Sequence, residues 1–204
     1  MIDRSAHWQA VYTTKAENEV SWFQENPATS LRLIGDANAS SGSAVIDIGG
    51  GASRLVDALV ARGFRLLAVL DISAAALEAA KTRLGPAGAD IDWIAADVTK
   101  WRPARTYDIW HDRAAFHFLT EAADRDAYID RLKSAVAPRG QVIIGTFALD
   151  GPEKCSGLQV QRYDAKSLAE TLGPAFELAN NVSEAHRTPW GAIQRFQFSR
   201  FRRV

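Results

Sequence analysis

The stretch "AVIDIGGGASRLVDALVARGFRLLAVLDIS", residues 44–73, places three consecutive glycines between two apolar runs. The first run contains Asp47 and leads directly into the glycines, residues 49–51, and the second run ends at Asp71. Between them, apolar residues within 55–60 recur at helical spacing. The stretch therefore predicts a strand, a bare turn, a helix and a second strand, which is the repeating unit of a parallel sheet.

The same rhythm continues on the C-terminal side of this stretch. Three more apolar runs, "IDWIAADV", "YDIWHD" and "QVIIGTF", predict strands, and helical patterns separate them. Ser73 is a predicted N-cap, and Gly85 a predicted stop, for the helix after the second strand. The last two runs, "FELANNVSEAHR" and "AIQRFQFSRFRR", are separated only by "TPWG", which indicates an antiparallel hairpin. The sequence thus predicts an α/β fold whose mostly parallel sheet has one antiparallel strand near an edge.

The segment before the glycines has a different composition. Residues 1–36 mix aromatic and charged side chains and predict one or two helices, broken near Pro27, and a polar loop follows at 37–43. We interpret the chain as a single domain, 1–204, with a helical arm or lid at 1–36 and a core at 44–204. The arm's aromatic residues could pack on the sheet edge or close over a ligand. We predict the lid role for Tyr12 and Trp22.

The overall composition excludes several classes of protein. Lys plus Arg equals Asp plus Glu, 24 each, so bulk attraction to nucleic acid or to an anionic membrane is not expected. The single cysteine, Cys155, cannot form an internal disulfide. We find no secretory signal core and no apolar stretch of the ~18 residues that a membrane span needs. We therefore expect a cytoplasmic protein.

The glycines and Asp71 together indicate a nucleoside-bearing cofactor. In an open parallel sheet, ligands bind beyond the carboxyl ends of the strands, where glycine lets the backbone approach them. Asp71 follows Gly49 by 22 residues, close to the ~20 expected between such a turn and a ribose-binding acid. A dinucleotide is an alternative, but its fingerprint needs a third glycine where this chain has Arg54. S-adenosylmethionine is the favoured cofactor.

At this point the sequence resembles the class I S-adenosylmethionine-dependent methyltransferases, over roughly residues 40–204. "VIDIGGGAS", "VLDIS", "AADV" and "YDIWHDRAAFHFL" are similar to four successive motifs of that family. The resemblance implies a Rossmann-like, doubly wound, seven-stranded sheet of order 3-2-1-4-5-7-6 with the last strand antiparallel. The arm, with "EVSWF", is similar to a bacterial subgroup, and loosely to thiopurine-type and protein-lysine methyltransferases.

The resemblance also implies roles for individual residues. The methionine part of the cofactor would contact the first motif, the ribose the second, the adenine the third, and the amino group the end of the fourth strand. The predicted cofactor-binding residues in the core are Asp47, Gly49, Gly50, Gly51, Asp71, Ile72, Asp97, Val98 and His111, with Tyr12 and Trp22 in the arm.

Acceptor chemistry is most expected in "WHDRAAFHF", which follows a strand end and is rich in titratable groups. From it we predict His111, Asp112 and His117 as catalytic residues, although His117 could equally be a satisfied packing residue. A metal site is not predicted, because adjacent strand residues point to opposite faces. The long loop 148–163 is a possible binding loop, and Cys155 within it is interpreted as passive.

The predicted function is transfer of the sulfonium methyl group to sulfur, nitrogen or oxygen of a small-molecule acceptor. A general base is needed only where that acceptor is protonated at the working pH. Protein-lysine methylation is one alternative, and a non-catalytic cofactor-binding or interaction module is another. The acceptor and the oligomeric state are left open by the sequence.

Overall fold

The computed structural model describes residues 3–204 and consists of a central sheet with helices on both faces. The strands of that sheet are β1 (Ala44–Ile48), β2 (Leu66–Asp71), β3 (Asp92–Ala95), β4 (Tyr107–Arg113), β5 (Val136–Phe147), β8 (Phe176–Arg187) and β9 (Ile193–Arg203). A separate small hairpin contains β6 (Lys154–Cys155) and β7 (Leu158–Gln159).

The order of the central sheet is β3-β2-β1-β4-β5-β9-β8. Strands β1 to β5 pair in parallel, and β9 is antiparallel to both of its neighbours. Counted without the small hairpin, this is the predicted order 3-2-1-4-5-7-6 with the last strand antiparallel. The predicted Rossmann-like α/β fold is therefore confirmed.

In the described part of the chain, six α-helices connect or precede the strands. They are α1 (Arg4–Thr14), α2 (Ala28–Asp36), α3 (Leu55–Ala61), α4 (Ala74–Leu84), α5 (Ala122–Ala135) and α6 (Ala165–Leu172). Short 3₁₀ turns lie at Glu17–Glu19, Gly85–Gly88 and Phe116–Phe118. The Ser73 hydroxyl accepts from the Ala76 amide at 3.2 Å at the start of α4, and Gly85 ends that helix with φ +54°. Both predicted helix boundaries are thus present.

The strands bury both faces because their side chains alternate with a period of two. On one face Ile46 and Trp110 pack with residues of α5 and α6. On the other face Val45 and Ile109 pack with residues of α2, α3 and α4. This two-layer burial leaves the carboxyl edge of the sheet as the place where the polar residues of the motifs gather.

Two segments differ from the sequence prediction. The predicted fifth strand begins at Gln141, whereas β5 begins at Val136, directly after α5, and includes a register shift against β4. Pro138 explains why the helix stops early, since the residue before a proline is biased toward extended backbone. The loop 148–163 contains the hairpin of β6 and β7, turned by Ser156 and Gly157, both at positive φ.

None of the described helices has the length and hydrophobicity that crossing a membrane requires.

Candidate active site

The three glycines after β1 form a tight bend at the carboxyl edge of the sheet. Gly49 lies in the left-handed region, at φ +66°, and its amide donates to a carbonyl of β2 at 2.7 Å. A Cβ atom on Gly50 would lie 2.4 Å from Asp47 Oδ2, and one on Gly51 would lie 2.5 Å from Asp71 Oδ2. The bend must therefore be free of side chains for the two carboxylates to lie against it.

Asp71, at the end of β2, is a buried carboxylate that faces this bend. Its Oδ1 accepts from the Ser73 amide at 2.8 Å. Burial raises the pKa of Asp71 to about 7, and the nearby charge of Asp47 adds to the increase. Hydroxyl donors from a ligand in the cleft would provide further hydrogen bonds to this carboxylate.

A cleft of about 760 Å³, including its open mouth, runs along the carboxyl ends of β1, β2 and β4. Of the residues predicted to bind a cofactor, the cleft brings together Gly49, Asp71, Ile72, Asp97 and Val98 from the core with Tyr12 and Trp22 from the arm.

Aromatic side chains of the arm form one wall of the cleft. Trp8 makes edge contacts with Trp22 and with Phe118, at centroid distances of 5.5 and 5.0 Å. Trp22 Nε1 donates to the Tyr12 hydroxyl at 3.2 Å. Burial raises the pKa of Tyr12, so its phenol stays neutral at physiological pH. The predicted contribution of the arm to the cleft therefore involves an additional residue, Trp8.

Polar contacts hold the arm against the core. Glu17 forms ion pairs with Arg54, which precedes α3, and with Arg83 of α4, the latter at 2.7 Å. The Gln9 side chain accepts from the Ser73 hydroxyl at 3.1 Å and from a backbone amide of α4 at 3.2 Å. Since these groups are partly exposed, each contact stabilises the docked arm only modestly.

A second cavity lies beyond the glycine bend, around Asp47 and His111. His111 Nδ1 donates to Asp47 Oδ1 at 2.6 Å, and Nε2 lies 2.8 Å from the Ser30 hydroxyl of α2. All three residues are buried. With both ring nitrogens engaged, His111 orients Asp47, and the contact with Ser30 was not anticipated from the sequence.

Asp112, the neighbour of His111 on β4, points to the opposite face of the sheet. It accepts from the Tyr128 hydroxyl at 2.7 Å and from the Ala115 amide at 2.9 Å, and it lines neither cavity. Burial raises the pKa of Asp112 to about 6. Its catalytic role stays a prediction, and its contacts are those of a residue that fastens the turn after β4 to α5.

We expect Asp112→Ala to lower the free energy of unfolding by roughly 3 kcal/mol, because it leaves buried donors without a partner. Urea denaturation measures this loss. We expect the affinity of the folded variant for S-adenosylhomocysteine, measured by calorimetry, to change less than about 3-fold, which is under 1 kcal/mol. A stable variant with strongly reduced ligand affinity would instead place Asp112 in the binding site.

His117 is fully buried in the 3₁₀ turn after β4 and also lines neither cavity. Its Nδ1 accepts from the Phe147 amide at 3.3 Å. Burial, assisted by the charge of Arg113, lowers the pKa of His117 to about 3. The ring is therefore neutral at physiological pH, and the packing role that the sequence left open fits this placement.

Arg113 and Cys155 are among the further residues, outside the predicted set, that line the site. Arg113 lines both cavities, and Cys155 lines the first. Arg113 lies two residues beyond His111 on β4, so strand alternation alone could have placed the two on one face. Burial raises the pKa of Cys155 to about 11, which keeps its thiol protonated. Within residues 3–204, no group of three or more His, Cys, Asp or Glu residues is arranged to hold a metal ion.

Comparisons with known proteins agree with this geometry. Residues 45–140 match a family model described as a methyltransferase domain. Residues 45–140 are therefore a methyltransferase domain, and the chain has the class I methyltransferase fold. Enzymes of this class use S-adenosylmethionine as the methyl donor. The bare glycine bend, the Asp71 carboxylate and the unpartnered Asp47 Oδ2 fit a molecule that carries ribose hydroxyls and an ammonium group.

Solved structures with the same fold span nearly the whole methyltransferase. A Burkholderia thailandensis 1,6-didemethyltoxoflavin-N1-methyltransferase, with 1,6-didemethyltoxoflavin and S-adenosylhomocysteine bound, is 19% identical, with a TM-score of 0.70 over 98% of this chain and 84% of that one. The N-methyltransferase NodS of Bradyrhizobium japonicum, with S-adenosylhomocysteine, is 19% identical, with a TM-score of 0.72 over 96% and 97%. An Anabaena variabilis S-adenosylmethionine-dependent methyltransferase is 14% identical, with a TM-score of 0.74 over 100% and 96%. A comparison with curated protein sequences found no significant match.

Proposed function

We propose that this methyltransferase transfers the methyl group of S-adenosylmethionine to a nucleophilic atom, sulfur, nitrogen or oxygen, of a small-molecule acceptor by in-line displacement. The observation that carries the proposal is the aromatic wall of Trp8, Trp22 and Phe118, which lies over the cleft beside the glycine bend. A space bounded in this way suits a compact acceptor better than an extended macromolecule.

The adenosine part of the cofactor is assigned to the end of the cleft nearest β2 and β3. Asp71 would accept hydrogen bonds from the ribose hydroxyls, as a carboxylate with free lone pairs can. Ile72 and Val98 would flank the adenine. Asp97, whose Oδ1 accepts from the Thr99 amide at 2.9 Å, would lie at the adenine edge. These assignments follow the predicted roles and agree with the shape of the cleft.

The acceptor is assigned to the end of the cleft beneath the arm. The cofactor supplies an already activated methyl group when bound, so the chain needs chiefly to orient the acceptor and exclude water. The carboxylates that line the cleft, within residues 3–204, are Asp71 and Asp97, both assigned to the adenosine. No protein carboxylate is thus assigned as a general base, which favours an acceptor that loses its proton readily, such as a thiol or a ring nitrogen.

To test the small-molecule assignment, the enzyme is incubated with methyl-labelled cofactor and, separately, with two acceptor pools. One pool contains the metabolites that pass a filter, and the other contains the proteins that the filter retains. We expect label in the metabolite pool. Matched variants are Asp71→Ala, which should lose incorporation, and Asp92→Ala at the exposed start of β3, which should retain it. Label found only in a protein band would contradict the proposal and support lysine methylation.

A further inference from the structure

Arg83, on α4, joins four parts of the chain that meet beside the glycine bend. Its Nε and Nη2 atoms donate to the two carboxylate oxygens of Asp57, on α3, at 2.8 and 2.7 Å. Nη2 also donates to the Ser53 carbonyl at 2.8 Å, and Nη1 donates to the Ala52 carbonyl at 3.4 Å. Nη1 donates in addition to the carboxylate of Glu17, in the arm, at 2.7 Å. One guanidinium therefore holds α3, the loop before it and the arm.

The two carbonyls that Arg83 contacts belong to the loop that continues the glycine bend. Ala52 and Ser53 directly follow Gly51 and lead into α3. The Ser53 amide donates to the Gly50 carbonyl at 2.7 Å, so the bend and the loop form one hydrogen-bonded unit. A group that holds the loop carbonyls therefore helps to fix the path of the bend.

The contacts of Arg83 require the shape of a guanidinium. This group carries five N–H donors in one fixed plane, whereas a lysine ammonium is a point charge on a flexible stem. The bidentate pair with Asp57 fixes the orientation of that plane, so the remaining donors point to the loop and to the arm. The Arg83 side chain is 15% exposed, so solvent competes for these bonds less than it does at an open surface pair.

Glu17 is the residue through which the arm joins this group of contacts. One of its carboxylate oxygens accepts from Arg83, and the other accepts from Arg54, which precedes α3. With Asp57, the group contains two acidic and two basic side chains, so its formal charges cancel. Because several charges share these contacts, the group should contribute more than an isolated surface pair does.

The arm also contacts the segments that follow two further strands. The Gln9 side chain accepts from the Ser73 hydroxyl, two residues beyond Asp71, and Arg4 forms an ion pair with Asp97 at 3.6 Å. Asp71 and Asp97 are both predicted to bind the cofactor. Each of the segments after β1, β2 and β3 therefore has a polar contact with the arm, and a docked arm favours one arrangement of all three.

We propose that Arg83 is a positioning residue of the cofactor site, which makes the docking of the arm and the path of the glycine loop depend on each other through Glu17. Cofactor binding stabilises one path of the loop, and the docked arm stabilises the same path. By thermodynamic linkage, each event then favours the other by the same factor. The inference rests on the assignment of the glycine bend to the cofactor, and it does not depend on the identity of the acceptor.

A double-mutant cycle on Glu17 and Arg83 measures this coupling, with the affinity for S-adenosylhomocysteine determined by calorimetry. Glu17→Gln removes the charge in the arm and leaves Asp57 and the loop carbonyls as partners of Arg83, and we expect about 5- to 20-fold weaker binding. Arg83→Gln removes both sets of contacts and should weaken binding about 10- to 50-fold. Because the two residues act through one contact, the double variant should bind within about 2-fold of Arg83→Gln.

Hydrogen exchange in the arm separates positioning from a general loss of stability. In the wild type, we expect S-adenosylhomocysteine at saturation to slow the exchange of the α1 amides at least about 5-fold. In Glu17→Gln this protection should fall to less than about 2-fold, while exchange in the buried strand β4 stays as in the wild type. The control variants are Glu25→Gln in the arm and Arg62→Gln after α3, both at exposed positions. Both should keep the wild-type affinity and the wild-type protection.

Three results would overturn the proposal. The first is an additive loss of affinity in the double variant, which would show that Glu17 and Arg83 act separately. The second is wild-type affinity in both single variants. The third is faster exchange throughout the chain of Glu17→Gln, which would show that the contact serves the fold alone. A wild type that does not bind S-adenosylhomocysteine would instead reject the assignment of the glycine bend to the cofactor.

Discussion

Replacing Gly51 with alanine should abolish productive cofactor binding. The added Cβ atom would lie 2.5 Å from Asp71 Oδ2 and 2.7 Å from the Ala76 Cβ, distances that real Cβ atoms do not show. The bend or the Asp71 carboxylate must therefore move. We expect the affinity for S-adenosylhomocysteine to fall at least about 100-fold and the free energy of unfolding to fall by about 1–3 kcal/mol.

Gly35→Ala is the matched control for this substitution. Gly35 lies within α2, and a Cβ atom there would meet nothing within 4 Å. Gly35 is the penultimate residue of that helix and does not adopt positive φ, so alanine, the better helix former, should leave this variant as stable as the wild type or more so. Calorimetry gives both affinities. Wild-type affinity in Gly51→Ala would show that the bend does not contact the cofactor.

The second large effect is expected at Asp71, where cofactor affinity should depend on pH. Burial raises the pKa of this carboxyl to about 7, and the ionised form is the better acceptor for ribose hydroxyls. Affinity for S-adenosylhomocysteine should therefore rise between about pH 6 and pH 8. In Asp71→Asn it should be about 10- to 100-fold lower than in the wild type at pH 8 and nearly independent of pH.

The unliganded protein should show the opposite trend in stability. A carboxyl whose pKa is raised on folding favours the folded state at low pH, and that contribution is lost as the pH rises from the unfolded value, 3.8, through about 7. Asp71→Asn lacks this loss. The difference in the free energy of unfolding between the variant and the wild type should therefore shift by up to about 4 kcal/mol in favour of the variant between pH 4 and pH 8. Asp92→Asn, exposed on β3, should follow the wild type in both binding and unfolding. If the free energy of unfolding and the ligand affinity of Asp71→Asn changed with pH as those of the wild type do, the pH dependence could not be assigned to Asp71.

The alternation of strands and helices and the place of the cofactor cleft were predictable because they depend on local patterns, whereas the strand order followed from the family resemblance. Residues 44–73 carry the spacing of apolar residues, the bare turn and the acid at the strand end in one continuous stretch. Such features act over a few residues at a time, and parallel strands then bring their carboxyl ends to one edge. Helix boundaries at Ser73 and Gly85 were predictable for the same reason.

The alternation of a strand predicts that His111 and Asp112 point to opposite faces of β4, but it does not predict which face holds the site. His111 and Arg113 point toward the second cavity, whereas Asp112 between them points to Tyr128 on the other side of the sheet. Choosing which face holds the site required knowing what packs on each face. His111 and Asp112, predicted together as catalytic residues, therefore lie on opposite faces of β4.

The sequence by itself determined the class of fold, the glycine bend and the acid that ends the neighbouring strand. Only the tertiary structure decided which charged groups are left without partners, because burial and pairing arise from residues far apart in the chain. The hydrogen bond from Arg113 to the Trp22 carbonyl joins residues 91 positions apart, and Arg113 also lies near Glu184. The hydrogen bond between His111 and Asp47 joins residues 64 positions apart. These long-range contacts occupy part of each charged group and leave Asp47 Oδ2 and the Arg113 Nε and Nη2 atoms without hydrogen-bond partners.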